Sequence, residues 1–168
     1  MSQTKRIVIA VVILVVVVGV VLGVEALRRR AAQPAVVEAE VTLTPGSIPI
    51  YVDGQLLAAF SPEDLETMET VSFVDAEESK TQEGWLLRDV LLLHMDGDQL
   101  DPGTPIVVSS SSQDKAAELT WAEVEDPENW VMFDLSGRGT LKLLSVLERL
   151  DVRDEWVQDV DRVEVGRP

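Results

Sequence analysis

The sequence predicts a single mixed α+β domain that follows one N-terminal transmembrane helix. Three observations carry this. An uncharged run of 18 apolar residues occupies positions 7–24, opening on Ile7 and closing on Val24. Beyond it, short Val-, Ile- and Leu-rich stretches mix with helix starts in no fixed order, which points to α+β rather than a strand–helix repeat. Turn signals such as Asp53-Gly54, Asp101-Pro102-Gly103 and Ser136-Gly137-Arg138-Gly139 punctuate those stretches.

A helix over 7–24 would span roughly 27 Å at about 1.5 Å per residue, close to the bilayer hydrocarbon core. So much Val favours strand in water, but in lipid every backbone group must be satisfied internally, which forces a helix. The run is longer than a signal-peptide core, and Arg28, Arg29 and Arg30 follow Val24-Glu25-Ala26 almost at once, so an uncleaved anchor is expected. The flanking cations nearly balance: Lys5 and Arg6 on one side, three arginines on the other. The short leading tail and the cysteine-free, acidic body favour a cytoplasmic tail at 1–6, a tether at 25–44 and an extracytoplasmic domain at 45–168. The chain is thus expected to be a single-pass membrane protein that meets the membrane through Ile7 to Val24.

Each element of the body has a local reason. Ile48–Val52 and Gln55–Phe60 flank Asp53-Gly54, the strongest hairpin signal in the chain. Ser61-Pro62-Glu63-Asp64 starts a helix, with a capping residue, proline at the first helical position and acids in the first turn, ending near Met68. Val71–Val74 reads as a strand. Gly84 is expected to break the chain, and 85–93 reads as a buried helix with Leu87, Val90 and Leu91 inward. Asp96-Gly97-Asp98 is a turn, 106–109 a strand, and Thr120-Trp121-Ala122-Glu123 matches a capping box. Strands are expected at 130–135, at Leu141–Leu144 and, through the alternation of Val157, Val160, Val163 and Val165 with acids, at 156–165.

Composition excludes several functions. The 168 residues contain 14 Lys and Arg, 30 Asp and Glu and no cysteine, for a net charge of −16. Disulfide frameworks, thiolate metal sites and cysteine nucleophiles are therefore impossible. From residue 31 onward nine basic residues face 29 acidic ones, about −20 by formal counting. No nucleic acid partner is expected, because such affinity rests on cations that neutralise phosphates. Anionic lipid headgroups would likewise repel the body.

The order of several short motifs resembles a known family. A hairpin leads to Phe60-Ser61-Pro62-Glu63-Asp64-Leu65, then a strand at Val71, then Gly84-Trp85-Leu86-Leu87-Arg88-Asp89-Val90-Leu91. Pro105-Ile106-Val107-Val108-Ser109 and the terminal stretch from Trp156 to Val165 follow. Over roughly 45–165 this resembles the oxidoreductase molybdopterin-binding domain of the sulfite oxidase type, in a small form. The resemblance implies a mixed α+β fold. It also implies a cysteine thiolate on molybdenum from the stretch 71–83, where this chain has Asp75, Glu77 and Glu78 instead. The soft ligand is missing. The family's cofactor is anionic, and only nine scattered cations and one histidine are on offer. No cofactor is expected, molybdopterin being disfavoured, and no functional residue of the family transfers.

Other candidates weigh towards structure. His94, at a helix end, lacks a catalytic partner. Asp96, Asp98 and Asp101 lack the later ligands of a calcium loop. The tryptophans Trp85, Trp121, Trp130 and Trp156 should be mostly core, with their indole N–H groups satisfied, and Trp121 the first to be exposed. Ser109 to Ser112 reads as a flexible polar loop. The ligand-binding candidates are Trp121, Ser111, Ser112 and Arg138, the last beside glycines whose backbone N–H groups could seat an anion. The expected function is therefore non-catalytic binding of a protein or small-molecule partner. The alternatives are an oxidoreductase that holds a molybdopterin-type cofactor without cysteine, and an acidic cation-binding module. An open polar pocket facing 71–83 would favour ligand binding; a filled one would leave only surface interaction.

Overall fold

The structure, a computed structural model, describes residues 43–75, 77 and 79–166. The apolar run 7–24 and most of the tether lie outside these residues, and no described helix is long and apolar enough to cross a membrane.

The described residues form a mixed α+β body with nine strands in two sheets. The first sheet contains β1 (Ile48–Val52), β2 (Gln55–Phe60), β5 (Pro105–Ser110), β6 (Lys115–Thr120) and β9 (Arg162–Val165), in the order β2-β1-β9-β5-β6. All its neighbours are antiparallel except β1 and β9, which run parallel, so the last strand is inserted beside the first. The second sheet is β3 (Val71–Val74), β4 (Thr81–Leu86), β7 (Met132–Leu135) and β8 (Leu141–Leu144), antiparallel and in that order. Three short helices, α1 (Pro62–Leu65), α2 (Leu87–Leu92) and α3 (Trp121–Glu125), connect strands.

Local chemistry explains the turns. Asp53 and Gly54 both have positive φ (51° and 77°), the backbone a two-residue hairpin with right-handed strand twist requires. The Ser61 N–H and hydroxyl both donate to Asp64 Oδ2 at 2.7 and 2.8 Å, fixing the start of α1. Thr120 does the same with Glu123 Oε2 at 2.8 and 3.0 Å, starting α3. α1 stops at Leu65, a turn short of Met68, whose N–H bonds back to the Leu65 carbonyl.

The main core draws on one face of each sheet. Ile50, Phe60, Ile106, Val108 and Val163 from the first sheet share a cluster with Trp85, Phe133, Leu141 and Leu143 from the second. The Phe60 and Phe133 rings meet across it with centroids 5.7 Å apart. Each such buried side chain contributes about 1.5–3 kcal/mol over the exposed state.

Four expectations are corrected. The stretch 85–93 is not one helix: Trp85 and Leu86 complete β4, and α2 covers only Leu87–Leu92. Gly84 does not break the chain but sits inside β4, where an added Cβ would lie 1.8 Å from the Phe133 carbonyl oxygen. The stretch 130–135 begins as a strand only at Met132, because Trp130 closes a 3-10 turn in the left-handed region at φ 47°. The stretch 156–165 forms regular strand only at Arg162–Val165, with Val157 in an isolated bridge to Leu143. Strand β6 was not expected, and β5 runs through the expected Ser109 to Ser110, which the sequence places in a loop.

Candidate functional site

Strand alternation builds the site. On the second sheet, Trp85, Phe133, Leu141 and Leu143 point into the main core, so their neighbours must point to the opposite face. That opposite face carries a second apolar cluster, Leu86, Met132 and Leu144, capped by Trp156 and flanked by Val71 and Phe73. Further along the same strands the face turns polar: Asp134 on β7 and Lys142 on β8, each two residues on, and Gln82 on β4, four residues on. Asp134 pairs with Gly84 on one side and with Lys142 on the other. Glycine at position 84 lets the Phe133 backbone approach where a side chain would otherwise stand.

The polar residues form a connected chain. Lys142 Nζ lies 2.9 Å from Asp134 Oδ2 and donates to Gln82 Oε1 at 3.0 Å. Gln82 Nε2 donates to Asp75 Oδ2 at 3.0 Å, and the Glu77 N–H donates to Asp75 Oδ1 at 2.8 Å. Asp75 and Gln82 are buried, at 3% and 6% exposure. Lys142 Nζ also sits 4.7 Å from the centroid of the Trp156 ring, within cation–π range.

Above this chain lies a cavity of about 560 Å³. Its lining includes Lys80, Gln82, Ser136, Gly137, Arg138, Lys142, Arg153 and Trp156, and no acidic residue. The described residues hold eight Lys and Arg, and four of them line this one cavity. Half of the described cations are therefore gathered here, while Arg88, Lys115, Arg149 and Arg162 lie elsewhere. The Trp156 side chain is buried, and its indole N–H has no acceptor among the described residues; the same holds for Trp85. These two indoles are exceptions to the expected satisfaction of buried polar groups.

Arg138 is anchored at the cavity mouth. Its Nη2 lies 2.9 Å from Asp159 Oδ2. Asp159 Oδ1 accepts from the Thr140 hydroxyl at 2.7 Å, and Oδ2 also accepts from Gln113 Nε2 at 3.1 Å. The Thr140 hydrogen bond, against a smaller opposing effect of burial and aided by Arg138 and Gln113, holds the Asp159 carboxyl below its usual range.

The four sequence candidates do not converge. Arg138 lines the cationic cavity. Ser111 sits in the β5–β6 hairpin, its N–H (2.9 Å) and hydroxyl both donating to Asp161 Oδ2. Ser112 lines a different cavity with Asp159 and Asp161, its hydroxyl 3.2 Å from that of Ser110. Trp121, expected to be the most exposed tryptophan, is 3% exposed and packed in the main core, because α3 turns its first residue inward. His94 is half-buried against the Phe60 ring at 6.5 Å. Burial lowers its pKa, with Asp64 opposing.

Sequence reasoning missed Lys80, Gln82, Lys142 and Arg153. Lys80 immediately precedes β4 and Gln82 lies in it, in the half not read as a strand, and Arg153 lies in an irregular segment. Lys142 carried a usable signal: it is the one charge in the apolar strand Leu-Lys-Leu-Leu. No protein-family model matches the chain, and no curated protein matches it.

Proposed function

We propose that this chain is a membrane-anchored, non-catalytic binding module of sulfite-oxidase-like fold whose folded body takes a small organic or inorganic anion in the cationic cavity. The observation that carries the reading is the lining: half of the described cations, no acid, in a body of strongly negative formal charge. A concave site with low-dielectric walls focuses such a field, so an anion entering it meets local attraction despite the net charge. Each charge-assisted hydrogen bond from Arg or Lys to a carboxylate or phosphate contributes about 1.5–3 kcal/mol. Within the stretch 71–83 the cavity borders residues 80–82, while Val71 and Phe73 pack against the apolar cluster.

The resemblance to molybdopterin-binding domains implies a thiolate-held metal, and the donor set does not fit one. Asp75, in the stretch where the thiolate would stand, has both carboxylate oxygens engaged by the Glu77 N–H and Gln82. What persists is the means to hold an anion, and no redox step is assigned to the protein.

Thermal melting of the full chain in detergent tests the reading. The probes are phosphate, diphosphate, phenyl phosphate and benzoate, with benzyl alcohol as the uncharged control. An anion at one hundred times its dissociation constant should add about 2.7 kcal/mol of stability. Stabilisation by at least one anion and none by benzyl alcohol is expected; an unmoved midpoint for all four anions would overturn the proposal. Stoichiometric molybdenum or tungsten in the purified protein would overturn the non-catalytic reading.

A further inference from the structure

The polar row under the cavity continues onto the irregular segment before β9. Val157 and Leu143 exchange both backbone N–H bonds, at 2.8 and 3.1 Å, in an isolated antiparallel bridge. Opposite residues of such a pair share a face, and their neighbours take the other face. Val157 and Leu143 lie in the main core. Trp156 therefore stands opposite Leu144, and Gln158 opposite Lys142, on the cavity side, where Trp156, Gln158 and Lys142 all line the wall. The register ends there. Val160, not Asp159, donates to the Leu141 carbonyl, and Asp159 is an extra residue in the left-handed region at φ 54°.

This register sets a second kind of group beside the cations. Gln158 is half-buried, and its side-chain amide has no hydrogen-bond partner among the described residues. Thr81, exposed at the start of β4, lines the same cavity, and its hydroxyl is likewise without a partner among them. Gln82, by contrast, is engaged at both ends, by Lys142 and by Asp75. Lys142 uses two of its three N–H donors, on Asp134 and Gln82.

The two kinds of group ask different things of a ligand. Lys and Arg only donate, whereas an amide and a hydroxyl both donate and accept. A carboxylate or a fully ionised phosphate only accepts. It satisfies the cations but leaves the Gln158 and Thr81 oxygens without a donor. Hydroxyl groups on the ligand supply that donor and accept in return. Size agrees: a cavity of about 560 Å³ lies in the range that holds a whole organic molecule rather than a single oxyanion. We infer, resting on the anion-binding reading above, that the cavity takes a polyhydroxylated organic anion, a sugar phosphate or a sugar acid. Its charged group meets the cations, and its hydroxyls meet Gln158 and Thr81.

Isothermal titration into the full chain, in a detergent without a sugar headgroup, tests this. Glucose 6-phosphate is compared with cyclohexyl phosphate, and gluconate with hexanoate, so that each pair differs in hydroxyls at a shared charge type. Uncharged glucose and diphosphate are the controls. At least one hydroxylated anion should bind about tenfold tighter than its counterpart, the scale of two ordinary hydrogen bonds, and glucose should give no heat. Gln158→Leu and Thr81→Val, the latter at an exposed position, should each narrow that gap to about threefold or less while the affinity for diphosphate holds. Hydroxylated anions no tighter than their counterparts, glucose bound as tightly as glucose 6-phosphate, or a gap that survives both substitutions would each overturn the inference while diphosphate still binds. Absence of diphosphate binding by the unsubstituted chain would instead overturn the anion-binding reading, and the choice of ligand class with it.

Discussion

The two sheets of this protein use their faces differently. The five-stranded sheet buries one face and leaves the other to solvent. Its outer face carries Tyr51, Glu118, Arg162 and Glu164, with the Arg162 guanidinium 4.2 Å from the Tyr51 ring centroid. The four-stranded sheet is covered on both faces: main core on one side, and on the other the Leu86–Met132–Leu144 cluster merging into the polar chain under the cavity. A face that is half apolar and half buried-polar depends on close backbone approach and on its linked hydrogen bonds. The second sheet therefore concentrates both the structural risk and the chemistry.

Gly84→Ala should expose this contrast most sharply. The new Cβ would meet the Phe133 carbonyl, a backbone atom that cannot step aside. Overpacking against a ladder should cost about 3 kcal/mol or more. Ser109→Ala, on the outer face of the first sheet, should stay within about 0.5 kcal/mol. Denaturant midpoints of the two variants check the pair, and equal effects would erase the distinction between the sheets.

Next in size is Lys142→Met. It leaves Asp134, 14% exposed at its side chain, beside an apolar side chain with no charge to pair with. Breaking such a pair should cost about 2–4 kcal/mol, and Asp134→Leu added to it should restore part of the loss. A double-mutant cycle in urea measures the coupling. Additive effects would mean that the polar chain is not a unit.

A smaller effect concerns pH. Hydrogen bonds from Ser61 hold Asp64 below its usual pKa. Burial raises that of Glu123, but Arg149 and the Thr120 bonds outweigh it, and Asp159 is lowered by Thr140. Groups with depressed folded pKa values stabilise above their unfolded values and lose that contribution as pH falls through the folded ones. His94, depressed by burial, acts in the same direction: the unfolded chain takes up its proton first as pH falls below about 6.5. Stability should therefore decline steadily on acidification. Thr140→Val should move the acid limb to higher pH, which melting from pH 7 to pH 3 would reveal. An unchanged limb would remove the Thr140–Asp159 bond from the account.

Legibility followed local signals and not the division into sheets. Asp53-Gly54 gives the β1–β2 hairpin, Ser61-Pro62 the start of α1, and alternation at Val163 and Val165 gives β9; β3 and β8 of the second sheet were also expected, whereas β6 of the first was not. In the second sheet β4 eluded reading, because Thr-Gln-Glu-Gly-Trp-Leu has charge, glycine and an aromatic where a strand signal needs alternating apolar residues. Its burial is tertiary, supplied by β7 and by Trp156 from an irregular segment far along the chain. For the same reason only Arg138 of the cavity was singled out from sequence, by its glycine neighbours. Lys80, Lys142 and Arg153 come together through sheet register and loop placement, which spacing along the chain does not encode.

The central claim is that the second sheet's cationic cavity seats an anion. Isothermal titration of diphosphate into the full chain, and into the Arg138→Ser/Arg153→Ser double variant, tests it most directly. The account predicts a one-to-one binding heat that weakens at least tenfold in the variant while its melting midpoint without diphosphate stays close to that of the unsubstituted chain. No heat with the unsubstituted chain, or the same affinity in both proteins, would contradict it.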